Sequence, residues 1–397
     1  MQNVSSFPLD ALLFPALVVF VIGFVLALTV SRAPHWSFFV AFAKSAIFTL
    51  YFALFFDGTF TFLDDWGYFE RGGVLLSDGV SLVNFGAHLP ELFSLAGGKH
   101  FMYYLYNADS FRVFGQAYYA PVAANIILTF VAAAFMAAAA RSGVQLSQRL
   151  AAGFFVFMAL HPDIVAWSTI MNGKDILVLT GTSVAVYAAS RAEQGRYPSA
   201  VLLATLCGLV LFFTRFYVPL MLLVALFGAL LLSPQGRRSP ALWLLVPVGL
   251  LGVLAVFGLQ GLSSAYVRLQ ADFVNPLYGV PRILLTPVPF HTTVHYTFLN
   301  LPQVFQWAMM PVLVYGIIRV WRRATMTARF VVIYFLLMIL LYGMFGALQG
   351  PRHRVQIDGL LALFQFYGAL GLLSQMVPVG RGAPRRRQPT VSEDAAA

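Results

Sequence analysis

Stretches of about twenty mostly apolar residues recur along nearly the whole chain, and no other feature limits its fold so strongly. As a helix, about 20 residues rise roughly 30 Å, the depth of a bilayer's hydrocarbon layer. A soluble core has no room for this much apolar surface: hydrophobic residues make up 60% of the 397, charged ones only 10%, and mean hydropathy is +0.80. The expected fold is therefore an all-α polytopic bundle of about eleven spans. They lie near 11–31, 38–56, 119–140, 150–165, 175–190, 199–214, 217–233, 241–260, 304–320, 330–347 and 357–377. The run from Ser199 to Leu232 exceeds one span, and Arg215 followed by Pro219 marks a tight turn between two helices. The first run lacks a basic lead and is too long for a signal peptide, so it stays as a transmembrane helix.

Charge sets the expected orientation. Arg32, Arg141, Arg149, Arg191, Arg196, Arg237, Arg238, Arg322, Arg323 and Arg329 fall in alternate connections. Arginine-rich short loops stay cytoplasmic, which places the N-terminus outside and the C-terminus inside, in a bacterial inner membrane. Residues 1–380 form the membrane domain, and the polar tail 381–397 is expected to be disordered and cytoplasmic. Acids, among them Asp10, Asp163, Asp175 and Asp358, sort to the opposite face, where two long loops, 57–118 and 261–303, have an aromatic and charged mixture that suits short interfacial helices. The net charge of +10 is dispersed over loops rather than gathered in a patch, so nucleic acid is not an expected partner. Cys207 stands alone, which excludes an internal disulfide.

Asp64-Asp65-Trp66-Gly67-Tyr68-Phe69-Glu70 puts three carboxylates in seven residues at the rim of the first outer loop. Adjacent carboxylates in a cleft raise one another's pKa, which suits one of them to act as a general base; an N-terminal helix cap is the plainer alternative. The second constellation is Gly350-Pro351-Arg352-His353-Arg354, a basic outer turn that runs against the orientation rule and suits an anionic phosphate. Snorkelling to the interface is its alternative. Arg215 and Lys174, the latter followed by Asp175, are further candidate phosphate ligands. Tyr68, Tyr103 and Tyr104 belong to an aromatic group that would stack on sugar rings or sit in an interfacial belt. His291 and His295 stand four apart without an intervening Glu, and backbone hydrogen bonding suits them better than a metal.

The acidic segment after a hydrophobic span, the Lys-Asp helix start, the TRFYVP turn and the Arg-x-Arg turn before the last span resemble one family. It is the GT-C superfamily of polytopic glycosyltransferases, such as protein O-mannosyltransferases and lipid A aminoarabinose transferases. The resemblance covers most of the membrane domain as an ordering of features; here an additional helix precedes the acidic loop. It implies a donor sugar on polyprenyl phosphate, an acceptor reached from the outer face, and the catalytic acid at Asp64 or Asp65. Some members of the family use a divalent cation, Mg²⁺ or Mn²⁺, and the acidic pair leaves that open. The chemistry suits the residues. The phosphate is a good leaving group that needs cations (Arg352, Arg354, Arg215 or Lys174), while the acceptor hydroxyl of a glycan, lipid or protein needs a base.

Two rivals remain. An O-antigen or capsule polymerase is suggested by the spacing of Arg268 and Gly279. A lipid-linked glycan flippase or secondary transporter would instead need ionisable residues in mid-span.

Overall fold

The computed structural model describes residues 6–61, 63–97, 100–237, 243, 247, 272–348 and 350–376. Among them the fold is all-helical, with a single isolated bridge between Phe273 and Phe345. The α-helices of seven residues or more among the described residues are α1 (Leu9–Ser31), α2 (Pro34–Leu50), α3 (Leu63–Ser77), α4 (Leu89–Leu95), α5 (Met102–Phe114) and α6 (Tyr119–Ser142). Next come α7 (Gln148–Ala159), α8 (Pro162–Ile170), α9 (Asp175–Glu193), α10 (Tyr197–Phe212) and α11 (Tyr217–Leu232). The last five are α12 (Pro276–Leu285), α13 (Asn300–Ala308), α14 (Met310–Trp321), α15 (Met326–Met344) and α16 (Asp358–Met376).

Among the described residues, five single segments are long and apolar enough to cross a membrane: α1, α2 with its π-helical extension to Phe55, α6, α15, and Pro351–Met376. Two bent pairs, α7–α8 (45°) and the 294–321 segment containing α13 and α14 (54°), raise the number to seven. An integral membrane protein follows, but with fewer clear crossings than the expected eleven. The difference has identifiable sources. The expected spans at 199–214 and 217–233 are α10 and α11, each only 16 residues long. The span at 175–190 is α9, which is not among the crossing helices. The span at 241–260 lies outside the described residues, apart from Trp243 and Pro247, as does the tail 381–397.

Both bends have a cause in sequence. Pro162 opens α8 and Pro311 lies in the first turn of α14. A proline there lacks the N–H that would continue the preceding helix, and its ring obstructs the carbonyl four residues back.

At the centre lies α6, rich in alanine and packed against α1, α5, α7, α8 and α9. Its small side chains let neighbouring backbones come close. Glycines do the same where α14 crosses α16: a Cβ on Gly316 would overlap the Phe364 carbonyl, and one on Gly368 the Val312 carbonyl. The segment 57–118, expected on the outer face, folds into short helices, α3 to α5, around its own core of Tyr68, Leu75, Leu92, Phe101 and Tyr103. Helix α3 lies along α5, which connects to α6.

Candidate functional site

Two adjacent acids open α3, yet their side chains diverge. Asp65 is fully buried; it accepts the Tyr118 hydroxyl at 2.6 Å and the Trp66 amide at 2.9 Å. Its backbone carbonyl accepts Asn172 Nδ2 at 3.2 Å. Asn172 also donates to Asn107 Oδ1 at 2.8 Å and accepts the Tyr103 hydroxyl at 2.8 Å. Asn125 completes the knot by donating to the Tyr103 hydroxyl and to the Gly173 carbonyl, at 3.1 and 3.3 Å. This buried network joins α3, α5 and α6 to the Met171–Lys174 connection, and Asn125 Oδ1 is left in it without a donor among the described residues. Burial, followed by the Asp65 carboxylate, pushes the Tyr118 phenol far above its usual range, so it stays a donor.

Asp64 points the other way. It is half-exposed, and its Oδ2 accepts Arg352 Nη1 at 2.7 Å across 288 residues of sequence. Beside this pair, Arg215 Nη2 meets Asp175 Oδ1 at 3.3 Å, with both side chains largely buried. Asp175 also accepts Gln356 Nε2 at 2.5 Å, and Gln356 in turn accepts the Tyr342 hydroxyl at 2.7 Å. The Lys174 ammonium lies 5.3 Å from the centre of the Tyr68 ring. Burial and, next, the Arg215 charge lower the Lys174 pKa to about 8, against the opposing pull of Asp175 and Asp64. Three cations (Lys174, Arg215, Arg352) and two carboxylates (Asp64, Asp175) thus leave one positive charge in a partly desolvated recess.

The remaining expected residues are placed differently. Arg354 is fully buried and aims inward: Nη2 meets both Asp163 oxygens at 3.2 and 3.1 Å and Gln303 at 2.8 Å. Its Nη1 donates to the Leu284 and Thr286 carbonyls at 3.2 and 3.1 Å. Arg352 and Arg354 share the helical turn Pro351–Arg354, where residues two apart are about 200° apart around the axis, so they cannot grip one phosphate together. His353 is buried with its ring 5.8 Å from that of Tyr342. Glu70 is exposed and lies about 140° round α3 from Asp65. Tyr103 is part of the Asn172 knot, and the Tyr104 hydroxyl accepts Arg71 at the α3–α5 contact, so neither offers a free face to a sugar. Tyr68 is buried beneath Lys174, and burial together with the Asp64 charge pushes its phenol above the usual range.

His295 Nδ1 lies 2.9 Å from the Thr59 carbonyl, and His291 Nδ1 lies 3.2 Å from the Pro289 carbonyl. No group of three His, Cys, Asp or Glu side chains among the described residues could hold a metal ion. Asp64 itself is paired with Arg352 and near Lys174, so this donor set does not fit a divalent cation.

Sequence reasoning missed Asn172, Gln356 and Asp163, and it grouped Tyr118 with the aromatics for sugar stacking or a belt, whereas its hydroxyl donates to Asp65. Only Asn172 carried a signal, as the Asn-Gly pair before Lys174-Asp175. The chain matches no protein-family model, no curated protein and no solved structure.

Proposed function

We propose that this protein is a membrane glycosyltransferase of GT-C type that moves a sugar from a polyprenyl-phosphate donor to an acceptor hydroxyl. One observation carries the reading: the acidic segment and the arginine turn meet in the Asp64–Arg352 pair, beside Lys174 and Arg215. Asp64 is the base, because it reaches solvent while Asp65 is buried in hydrogen bonds. As paired here, Arg352 neutralises Asp64. The donor phosphate draws Arg352 away and frees the carboxylate.

Asp64 then takes the acceptor's hydroxyl proton as that oxygen bonds to the anomeric carbon. The bond from that carbon to the phosphate oxygen breaks with its electron pair. The charge that develops on phosphate falls to Arg352 and Lys174, with Arg215 behind them, and direct displacement inverts the centre. In this reading the N-terminus and the site lie outside, in a bacterial inner membrane, and the acceptor is a glycan, lipid or protein.

Of the two residues behind the polymerase rival, Arg268 lies outside the described residues and Gly279 packs against Gly343. A lipid-linked glycan transporter gains from one observation, a buried ionisable cluster where two bent helix pairs meet.

The test offers a panel of polyprenyl-phosphate sugars to purified protein and to Asp64→Asn. Transfer by the wild type and a loss of about 10²–10⁴-fold in the variant support the base assignment. A folded Asp64→Asn protein that still transfers at the wild-type rate refutes it.

A further inference from the structure

Apart from the outer site, the interior holds a second ionisable group of residues. It lies where the α7–α8 break approaches the α13–α14 break. The His161 ring, at the first break, is 5.4 Å from Phe305, near the second. Gln365 of α16 ties the two together, lying 2.9 Å from His161 Nε2 and donating to Gln306 at 2.8 Å. Asp163, two residues beyond His161, holds the buried Arg354 through both carboxylate oxygens.

Asp358 follows Arg354 by four residues and is fully buried, and neither of its carboxylate oxygens has a hydrogen-bond partner among the described residues. Arg354 Nε is likewise buried without an acceptor, and so is His161 Nδ1. A buried carboxylate that is ionised and lacks a donor is among the costliest arrangements a protein can hold. One guanidinium cannot neutralise two carboxylates, and Arg354 is already committed to Asp163. The charged groups that act on Asp358 are Asp163 and Arg354, and the same two act on His161. From α7 and α9, Met158, Leu179 and Ser183 line the adjacent Gly359.

We propose that Asp358 is a proton-binding site at the meeting of the two broken helices, carrying its proton in this structure and exchanging it for the Arg354 guanidinium. With the proton bound, Arg354 belongs to Asp163. When the proton leaves, the free Arg354 Nε–H, one turn away, becomes the donor for the new carboxylate. The unsatisfied donor and the unsatisfied acceptors are the two halves of that second arrangement. Arg354 also holds the Leu284 and Thr286 carbonyls and stands two residues from Arg352, so the exchange reaches both the end of α12 and the outer arginine turn. A sodium ion is a poorer occupant, since Asp163 is already taken by Arg354 and a small hard cation needs several oxygens. The proposal does not depend on the transferase reading.

Infrared spectroscopy of the purified full chain in detergent at neutral pH tests it. The wild type should show the carbonyl band of a protonated, buried carboxylic acid, shifted in D₂O. Asp358→Asn, which mimics the neutral acid in shape, should lose the band and keep the wild-type melting temperature. Absence of the band from the wild type overturns the proposal, as does its persistence in Asp358→Asn or a clearly lower melting temperature for that variant. Sodium added at constant pH should leave the band unchanged; its disappearance would mean that the site takes a metal cation instead. The wild-type band and the sodium titration need no variant to fold.

Discussion

Arg352 and Arg354 stand two residues apart, and replacing each with alanine should have opposite consequences. The Arg352–Asp64 pair is 2.7 Å long, with side chains 27% and 48% exposed. A partly solvated pair of this kind contributes about 0–1 kcal/mol, so Arg352→Ala should scarcely alter stability. If Arg352 receives the charge that develops on the leaving phosphate, its loss should slow transfer by about 10²–10³-fold, or roughly 3–4 kcal/mol of barrier. Arg354 is fully buried against Asp163, and removing one partner of a buried pair costs about 3–5 kcal/mol. Arg354→Ala should therefore melt far below the wild type or fail to fold. The assay pairs thermal melting in detergent with single-turnover transfer from labelled polyprenyl-phosphate sugar. The reasoning is refuted if Arg352→Ala loses stability in step with rate, or if its rate falls less than about tenfold.

Other substitutions probe separate parts of the argument. Asp65→Asn should destabilise the fold by about 1–3 kcal/mol in a melting experiment, since the buried Tyr118 hydroxyl loses a charged acceptor. Lys174 has a folded pKa of about 8 against an ordinary 10.5, so its charge is lost as pH rises through 8. Binding of a polyprenyl-phosphate analogue should weaken above that pH, and Lys174→Arg should flatten the profile. The unfolded chain binds more protons between those two values, so this residue's contribution to stability rises with pH there. Gly316→Ala forces a methyl group into the Phe364 carbonyl and should cost about 1–3 kcal/mol or more, again read by melting.

Much of the architecture was legible because apolar run length and flanking charge are local signals. The expected spans at 119–140 and 330–347 correspond to Tyr119–Ser142 and Met326–Met344, and the Arg215 turn lies between Phe212 and Tyr217. Bends were harder to read. Pro162 and Pro311 are plain in the sequence, yet run length alone absorbed both into single spans. The site divided in the same way. Its residue types were visible, and Asp64, Lys174, Arg215 and Arg352 do come together. Which of two neighbours faces the recess was not visible. Asp65 and Arg354 are turned inward by partners at positions 118 and 163, and no local pattern encodes pairings over such distances.

Read as the two spans expected from the sequence, α10 and α11 are short for the surrounding lipid. Sixteen residues rise about 24 Å, roughly 6 Å less than a typical hydrocarbon core. A bilayer meeting so short a hairpin thins to match it, at a fraction of a kcal/mol for each ångström. The hairpin's tip carries Arg215, so the dimple forms beside the cationic recess. Headgroups would dip there toward the protein, and the proposed donor, a phosphate on a long isoprenoid chain, would arrive without lifting its tail out of the oil.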